Sequence, residues 1–353
     1  MLASAAMKDV GIVGLPLSGK TTLFNALTRA GAPAGGAAGR ASLAAVPVPD
    51  PRVDTLAELE RSRKRVFAQV RFVDVAGLSA GGSAGLAAQG LGALREVDAL
   101  AMVLAGFEGA PDPVEAAAEL TLELTVADLA SIGPGADKAA RRASSGVKGA
   151  AMEAATLERA RALLDQGTPL RAASFEAEEL RVLRNFTPLT LKPALAVLNL
   201  SEDAAAEAVE RAARLEAATG LPAVALPGAL EAEAAELTPE DAAAFLAEYG
   251  VERGGLDQVV GAAWSLLDLL TFFTTGEDES RAWEVRRGAT APEAAGRIHT
   301  DLQQGFIRAE VVGYDALVAA GGWDAARAKG LLRAEGKSYV VREADVLHVL
   351  FNV

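Results

Sequence analysis

The stretch GLPLSGKTT, from Gly14 to Thr22, constrains the fold of this chain more than any other. It matches the pattern G-x-x-x-x-G-K-[ST], follows the short apolar run DVGIV and precedes LFNALTRA, whose apolar residues recur at helical spacing. Glycines let backbone N–H groups converge on one anion, and the start of a helix adds unpaired N–H groups and a positive dipole end. The stretch therefore predicts a strand, a phosphate-binding loop and a helix at the beginning of an α/β nucleotide-binding fold.

Residue chemistry assigns roles within this loop. Lys20 can reach the β- and γ-phosphates and is the predicted catalytic cation, while the Thr21 hydroxyl can ligate Mg²⁺. The residues that we expect to surround the phosphates are Leu17, Ser18, Gly19, Lys20, Thr21 and Thr22.

A second predicted strand, VFAQVRFVDV, ends in the pattern D-x-x-G at Asp74 to Gly77. This pattern at the end of a strand is the expected companion of a phosphate loop. We expect Asp74 to hold Mg²⁺ through a water molecule and the Gly77 N–H to contact the γ-phosphate, which makes Gly77 a predicted catalytic residue. The glycine-rich run SAGGSAGLAAQGLG that follows predicts a switch loop, with a flexible linker as the alternative.

The strand predicted over LKPALAVLNL ends where P-loop GTPases carry the guanine-binding pattern N-K-x-D. Here the residues are Asn199, Leu200, Ser201 and Glu202, so leucine replaces the lysine and the longer glutamate replaces the aspartate. The guanine clamp is therefore impaired, and adenine can take the place of guanine. We expect Asn199, Leu200 and Glu202 to contact the base, together with the loop at Pro227 and Gly228.

Two further segments differ in character from the rest of the chain. Residues 129–186 predict two helices with a turn near Gly167, and carry nine basic and seven acidic residues, with Arg141, Arg142 and Lys148 at one end. This predicts either a solvated helical hairpin or a basic tip that touches RNA. Residues 270–353 predict a small α+β module with ten basic and twelve acidic residues, which could meet RNA through Arg286 and Arg287 or pack against its own chain.

Composition excludes several classes of function. The net charge of −13 argues against a general nucleic-acid-binding surface, so RNA contact needs a local basic patch and DNA is not expected. The chain has no cysteine, which fits a reducing cytosol and excludes thiol chemistry. No apolar run approaches the ~20 residues of a membrane span, so we expect a cytoplasmic protein without a membrane partner. His299 and His348 are far in sequence from the phosphate loop and are not expected to be catalytic.

Over nearly its whole length the chain resembles the YchF family of Obg-related P-loop ATPases and GTPases. The stretches that carry the resemblance are GIVGLPLSGKTTLFNALT, VPVPDPRVDTLAEL, FVDVAGL, LNLSE, TFFTTGEDESRAWEVRRGATAPEAAGRIHTDLQQGFIRAEVVGYD and EGKSYVVREADVLHVLFNV. The resemblance implies a doubly wound GTPase-type sheet from residues 1–128 and 187–269, a helical coiled-coil insertion at 129–186 and a TGS β-grasp domain at 270–353. It also implies ATP or GTP with Mg²⁺ as cofactors. The implied partner is the ribosome, a ribosomal subunit or RNA, bound through the insertion and the TGS domain in translation control or a redox or stress response.

Several departures from the family pattern bear on hydrolysis. Ala38 stands where the family has a switch threonine that binds Mg²⁺, and Leu78 stands where many GTPases have a water-orienting glutamine. The loop GFEGAPDP lacks the family's candidate catalytic histidine, and Leu17 and Ser18 replace an asparagine and a valine. These changes leave nucleotide binding intact and argue for slow hydrolysis. The alternatives are a non-hydrolysing scaffold and an ordinary GTPase.

Overall fold

The computed structural model describes residues 8–31, 42–74, 88–251 and 254–352. Their contacts group them into two units. The larger unit takes its described residues from 8–46 and 71–263, and the smaller unit takes its described residues from 47–70 and 264–352.

The strands and helices are bounded as follows. The strands are β1 (Asp9–Val13), β2 (Ser42–Pro47), β3 (Lys64–Val66), β4 (Gln69–Asp74), β5 (Ala99–Gly106), β6 (Ala194–Leu200), β7 (Ala223–Leu226), β8 (Leu269–Thr274), β9 (Glu279–Arg286), β10 (Phe306–Gly313), β11 (Arg333–Glu335) and β12 (Asp345–Phe351). The α-helices are α1 (Lys20–Gly31), α2 (Pro51–Glu60), α3 (Ala88–Glu96), α4 (Pro113–Ser144), α5 (Ala150–Asp165), α6 (Ala177–Arg184), α7 (Ala208–Thr219), α8 (Gly228–Ala234), α9 (Pro239–Glu248), α10 (Gly255–Leu266), α11 (Ala291–Ile298), α12 (Thr300–Gln304), α13 (Tyr314–Ala320) and α14 (Trp323–Ala328). Short 3-10 helices cover Leu170–Ala172 and Glu202–Glu207. Within the described ranges, no helix is both long and apolar enough to cross a membrane.

The sheet of the larger unit has the strand order β2-β4-β1-β5-β6-β7. Each neighbouring pair from β4 to β7 runs parallel. Strands β1, β5 and β6 are buried along nearly their whole length, as expected for apolar strands in a parallel sheet that is covered on both faces. The order runs outward from β1 in both directions, so the predicted doubly wound α/β fold is confirmed. The carboxyl ends of β1 and β5 flank the point where ligands bind in such sheets.

The predicted helical hairpin is formed by α4 and α5, but its boundaries differ from the prediction. Helix α4 runs for 32 residues without a break, past Pro134. The prediction of a single helix up to a turn near Gly167 is wrong. The chain already turns at 145–149, where Gly146 and Gly149 have φ angles of 74° and 81°. Helices α4, α5 and α6 share a buried core that includes Ile132, Ala136, Ala139, Leu157, Ala160, Leu164 and Leu183.

A buried carboxylate holds α4 to the segment that precedes β6. Asp128 has no exposed surface and accepts hydrogen bonds from the N–H groups of Leu189 (2.8 Å) and Thr190 (2.7 Å) and from the Thr190 hydroxyl (2.8 Å). Its other neighbour is Arg95, 3.9 Å away. Burial raises the pKa of Asp128, while these hydrogen bonds act to lower it. The carboxylate therefore anchors the middle of α4 to the segment that leads into β6.

The sheet of the smaller unit has the order β11-β10-β12-β8-β9-β3. Strands β8 and β9 form an antiparallel hairpin, and β10 pairs antiparallel with both β11 and β12. The core includes Phe272, Val285, Ala294, Ala295, Val311 and Leu347, which brings α11 onto one face of the sheet. This mixture of a short-stranded sheet and helices confirms the predicted α+β module.

The stretch VPVPDPRVDTLAEL, which carries part of the family resemblance, folds into the smaller unit. Val53 and Leu56 of α2, within this stretch, are fully buried, and β3, which follows the stretch, pairs in parallel with β9. The Arg52 guanidinium donates to Glu343 (2.7 Å) and lies 4.9 Å from the centre of the Phe273 ring. Sequence reasoning assigned this stretch to the 1–128 part of the nucleotide-binding domain, whereas its contacts group it with residues 264–352.

Candidate nucleotide-binding site

The phosphate loop lies between the end of β1 and the start of α1, and both of its glycines are required by space. A Cβ on Gly14 would clash with the carbonyl oxygen of Val103 and lie 2.7 Å from the Ser18 hydroxyl. Gly19 has a φ of 93°, and a Cβ there would clash with the side chain of Asn199. The two glycines therefore bring the loop backbone close to β5 and β6.

Leu17 and Ser18 occupy opposite environments in this loop. The Leu17 side chain is 90% exposed and its φ is 63°, which is the left-handed region. Ser18 is 3% exposed, and its hydroxyl has no hydrogen-bond partner among the described residues. Since the Ser18 side chain is buried, contacts from this position to a ligand would come from the backbone. Helix α1 begins at Lys20, so the N–H groups of its first turn have no partners within the helix.

Lys20, Thr21 and Asp74 supply the polar side chains of the site. The Lys20 ammonium donates to the carbonyl oxygens of Gly14 (3.0 Å) and Leu15 (2.8 Å). Asp74 ends β4, beside β1. Burial lowers the pKa of Lys20 and raises the pKa of Asp74, and the charge of each group opposes the shift of the other.

These residues fit a phosphate and a divalent cation. Thr21 is exposed, and its hydroxyl has no partner within the part of the chain that the structure describes. A cationic ammonium, a free hydroxyl and a carboxylate beside unpaired N–H groups form the donor set that a nucleotide with Mg²⁺ requires. The structure therefore brings together the loop, the lysine and the carboxylate that the sequence predicted. Thr22 follows as the half-buried third residue of α1.

Four predicted features lie outside the described residues. They are Gly77, Leu78, Ala38 and the greater part of the glycine-rich stretch after Gly77.

Asn199 connects the phosphate loop to the loop after β7. Its amide nitrogen donates to the Ser18 carbonyl (3.2 Å), and its amide oxygen accepts from the Gly228 N–H (3.1 Å). Gly228 is close enough that a Cβ would lie 2.6 Å from this amide oxygen. The sequence predicts that Asn199 contacts the base but does not reveal this bridging role. Its two hydrogen-bond partners, Gly228 and Ser18, lie 29 and 181 positions away from it in the sequence.

The remaining predicted base residues have different environments. Leu200 is 3% exposed and packs in the core of the larger unit, so its side chain has almost no surface for a ligand. Glu202 is exposed at the start of a 3-10 helix, and its carboxylate pairs with no cation among the described residues. Pro227 and Gly228 are buried where β7 leads into α8. Glu202 is thus the predicted base residue whose side chain is available.

Comparison with known proteins identifies the family. Residues 9–134 match the MMR_HSR1 family, described as "50S ribosome-binding GTPase", and residues 269–352 match YchF-GTPase_C, described as "Protein of unknown function (DUF933)". The Ribosome-binding ATPase YchF of Haemophilus ducreyi is 40% identical, with 97% of this chain and 99% of that protein covered. The chain belongs to the YchF family. The family's Bacillus subtilis protein, Ribosome-binding ATPase YchF, is 38% identical over the same shares of both chains.

More distant members of the YchF family agree with this assignment. The Obg-like ATPase 1 of Oryza sativa subsp. indica is 33% identical, with 98% of this chain and 92% of that protein covered. The structure of the Schizosaccharomyces pombe YchF GTPase matches with a TM-score of 0.87 and 28% identity, covering 97% of each chain. The predicted family and GTPase-type fold are confirmed.

Proposed function

We propose that this chain is a nucleotide switch that binds ATP with Mg²⁺, hydrolyses it slowly and associates with the ribosome in the cytoplasm. The observation that carries the proposal is the convergence of the Gly14–Gly19 loop, the Lys20 ammonium and the Asp74 carboxylate. The relatives from Haemophilus ducreyi and Bacillus subtilis are named ribosome-binding ATPases, which supports the ribosomal partner.

The roles of the residues follow from their positions. Lys20 exchanges its two carbonyl partners for oxygens of the β- and γ-phosphates, which stabilises negative charge there. Thr21 and Asp74 would hold the cation, and bound Mg²⁺ would neutralise negative charge on the phosphates. The role of Gly77, a contact from its N–H to the γ-phosphate, is proposed from the D-x-x-G pattern alone.

The base preference rests on Glu202. Guanine binding in GTPases uses a carboxylate at this position with a lysine two residues earlier, but here the carboxylate is one methylene longer and Leu200 is buried. Asn199 orients the loops through its two hydrogen bonds. We therefore infer that ATP binds more tightly than GTP. An ordinary GTPase is the alternative.

Binding of ATP and GTP to the full chain in the presence of Mg²⁺ tests this first. We expect ATP to bind more tightly than GTP, and Lys20→Ala to abolish both. Lys64→Ala is a matched control, because Lys64 lies on β3 in the smaller unit. Tighter binding of GTP would restore the ordinary GTPase, and binding of neither nucleotide would refute the proposal.

The absence of a hydroxyl at Ala38 and of a histidine in GFEGAPDP favours a second candidate, a scaffold that binds nucleotide without hydrolysing it. Single-turnover hydrolysis with and without purified ribosomes separates the two. Phosphate release above the Lys20→Ala background supports the ATPase. Release at that background in both conditions supports the scaffold.

The partner surfaces are proposed from charge. At the end of α4, Lys138, Arg141 and Lys148 are exposed and pair with no carboxylate among the described residues, whereas Arg142 pairs with Glu153 (2.9 Å). We propose that this tip of the 129–186 insertion contacts ribosomal RNA, and that the 270–353 segment, a TGS domain by resemblance, provides a second contact. In this proposal the nucleotide-binding domain comprises residues 1–128 and 187–269 without residues 47–70 and 264–269, whose contacts group them with the smaller unit.

A further inference from the structure

An exposed face of α4 changes from acidic to apolar along the helix. Glu115, Glu119, Leu122 and Val126 follow the spacing i, i+4, i+7 and i+11, which places them on one side of an α-helix. Leu122 and Val126 are each 58% exposed, although large apolar side chains on a helix are usually buried. The face is roughly 17 Å long at 1.5 Å per residue.

The acidic half of this face has no paired cation among the described residues, whereas some acidic residues on other helices are paired at helical spacing. Glu207 pairs with Arg211, and Glu178 pairs with Arg181, at helical spacing. In contrast, no lysine or arginine of the described chain pairs with the carboxylates of Glu115, Glu119 or Glu123. Glu115 lies in the first turn, where the helix dipole favours it. Glu119 and Glu123 lie beyond that turn, and like charges at i and i+4 repel.

Glu123 borders the apolar half and has an unpaired polar atom. Its Oε2 is buried and has no hydrogen-bond partner among the described residues. Burial, followed by the charge of Glu119, raises the pKa of Glu123. A cation from outside the chain beside the Glu119 and Glu123 carboxylates would offset the repulsion between them.

We infer that this face, Glu115 to Val126, is a docking surface for a cationic amphipathic segment of a ribosomal protein. Leu122 and Val126 bury against the apolar side of that segment, and its lysine or arginine side chains pair with Glu119 and Glu123. This inference rests on the proposed ribosome association and adds a protein contact to the RNA contact of the α4–α5 tip.

Other occupants fit the face less well. RNA is disfavoured because its phosphates would meet unpaired carboxylates. A second copy of the chain is also disfavoured. A parallel arrangement would bring the two acidic halves together, and an antiparallel one would bury the carboxylates of Glu115 and Glu119 against Leu122 and Val126. A basic protein segment satisfies both halves of the face.

Photocrosslinking from the full chain to purified ribosomes tests the inference. Leu122 is replaced by the photoreactive amino acid p-benzoylphenylalanine, and Val209, which is 81% exposed on α7, receives the same replacement as a control. We expect the Leu122 probe to give an adduct that resists ribonuclease and contains peptides of a ribosomal protein by mass spectrometry, and the Val209 probe to give none. An RNA adduct, an adduct between two copies of the chain, or no adduct while the chain still co-sediments with ribosomes would overturn the inference.

Substitutions give an independent readout. Leu122→Glu and Glu119→Lys should each weaken ribosome co-sedimentation by about tenfold, as expected for residues near the centre of an interface. The matched controls Val209→Glu and Glu248→Lys should leave it unchanged, and all four variants should bind ATP as the parent does. Equal co-sedimentation of the test and control variants would refute the docking surface. If the parent chain itself does not co-sediment, the proposed ribosome association fails, and this inference fails with it.

Discussion

At the scale of single residues, the phosphate loop keeps a leucine in a conformation that leucine seldom adopts. Leu17 has a φ of 63° and an exposed side chain, so packing does not compensate for the strain. We expect Leu17→Asn to raise the free energy of unfolding by about 0.5–1 kcal/mol, because asparagine tolerates the left-handed region. Urea unfolding measures this. Val209→Asn, on a regular helix, should give no such gain, and an equal gain there would contradict the explanation.

The bridging amide of Asn199 gives a second prediction at this scale. In Asn199→Asp, one carboxylate oxygen still accepts from Gly228, but the other faces the Ser18 carbonyl in place of a donor. We expect ATP affinity to fall by about tenfold or more, since about 1.4 kcal/mol corresponds to a factor of ten. Equilibrium titration with ATP measures this. Asn185→Asp, at the end of α6, should bind ATP normally, and an unchanged affinity in Asn199→Asp would exclude the bridging role.

The motif predicted which residues approach one another, but not where each side chain lies. Gly14, Gly19 and Lys20 were correctly assigned to one loop, because their spacing fixes the local backbone. The burial of Ser18 and Leu200 was missed, because it depends on residues distant in sequence. Asn199 contacts Ser18, and Leu104 of β5 lies in the same buried core as Leu200. The sequence suggests that position 14 needs glycine for its backbone angles. The structure shows that it needs glycine because a Cβ there would clash with the carbonyl oxygen of Val103.

At the scale of elements, helix α4 continues past a residue that usually ends a helix. Pro134 indicates a break by propensity, but packing maintains the helix on both sides of it through Ile132 and Ala136. Phe186 lies directly against Gly135, where no side chain would fit. Tertiary contacts therefore maintain the helix despite a helix-breaking proline, and the local sequence alone could not reveal these contacts.

Asp128 provides the test at this scale. In wild type, the two Asp128 oxygens accept hydrogen bonds from the N–H groups of Leu189 and Thr190. Asparagine has only one acceptor oxygen, so in Asp128→Asn the amide NH₂ faces one of these N–H groups and two donors oppose each other. We expect a loss of about 2–4 kcal/mol in the free energy of unfolding. Urea unfolding and hydrogen exchange in α4 and α5 measure the loss. Asp137→Asn, exposed on the same helix, should change stability by less than about 1 kcal/mol. Similar losses in both variants would contradict the anchoring role.

At the scale of the whole molecule, the smaller unit is assembled from two distant parts of the sequence. Residues 47–70 contribute β3, the buried Val53 and Leu56, and the Glu60 carboxylate, which accepts from the Trp323 N–H (2.6 Å). A chain ending at Ala263 would lack β9, which pairs with β3, and Trp323, which donates to Glu60. We expect brief trypsin treatment to cleave that chain between Arg52 and Arg65 but to spare this region in the full chain. Equal protection in both chains would show that residues 47–70 fold without residues 264–352.

This division of the smaller unit has a consequence for the order of events during synthesis. About 190 residues are translated between Val70 and Trp264, which takes roughly 10–40 seconds at about 5–20 residues per second. During that interval α2, which carries Val53 and Leu56, lacks its later neighbours β9 and α13. Strand β3, whose partner is β9, therefore cannot complete its pairing until the last part of the chain has been made. Completion of the fold depends on the last residues to be translated, and chains that stop early are exposed to aggregation and proteolysis.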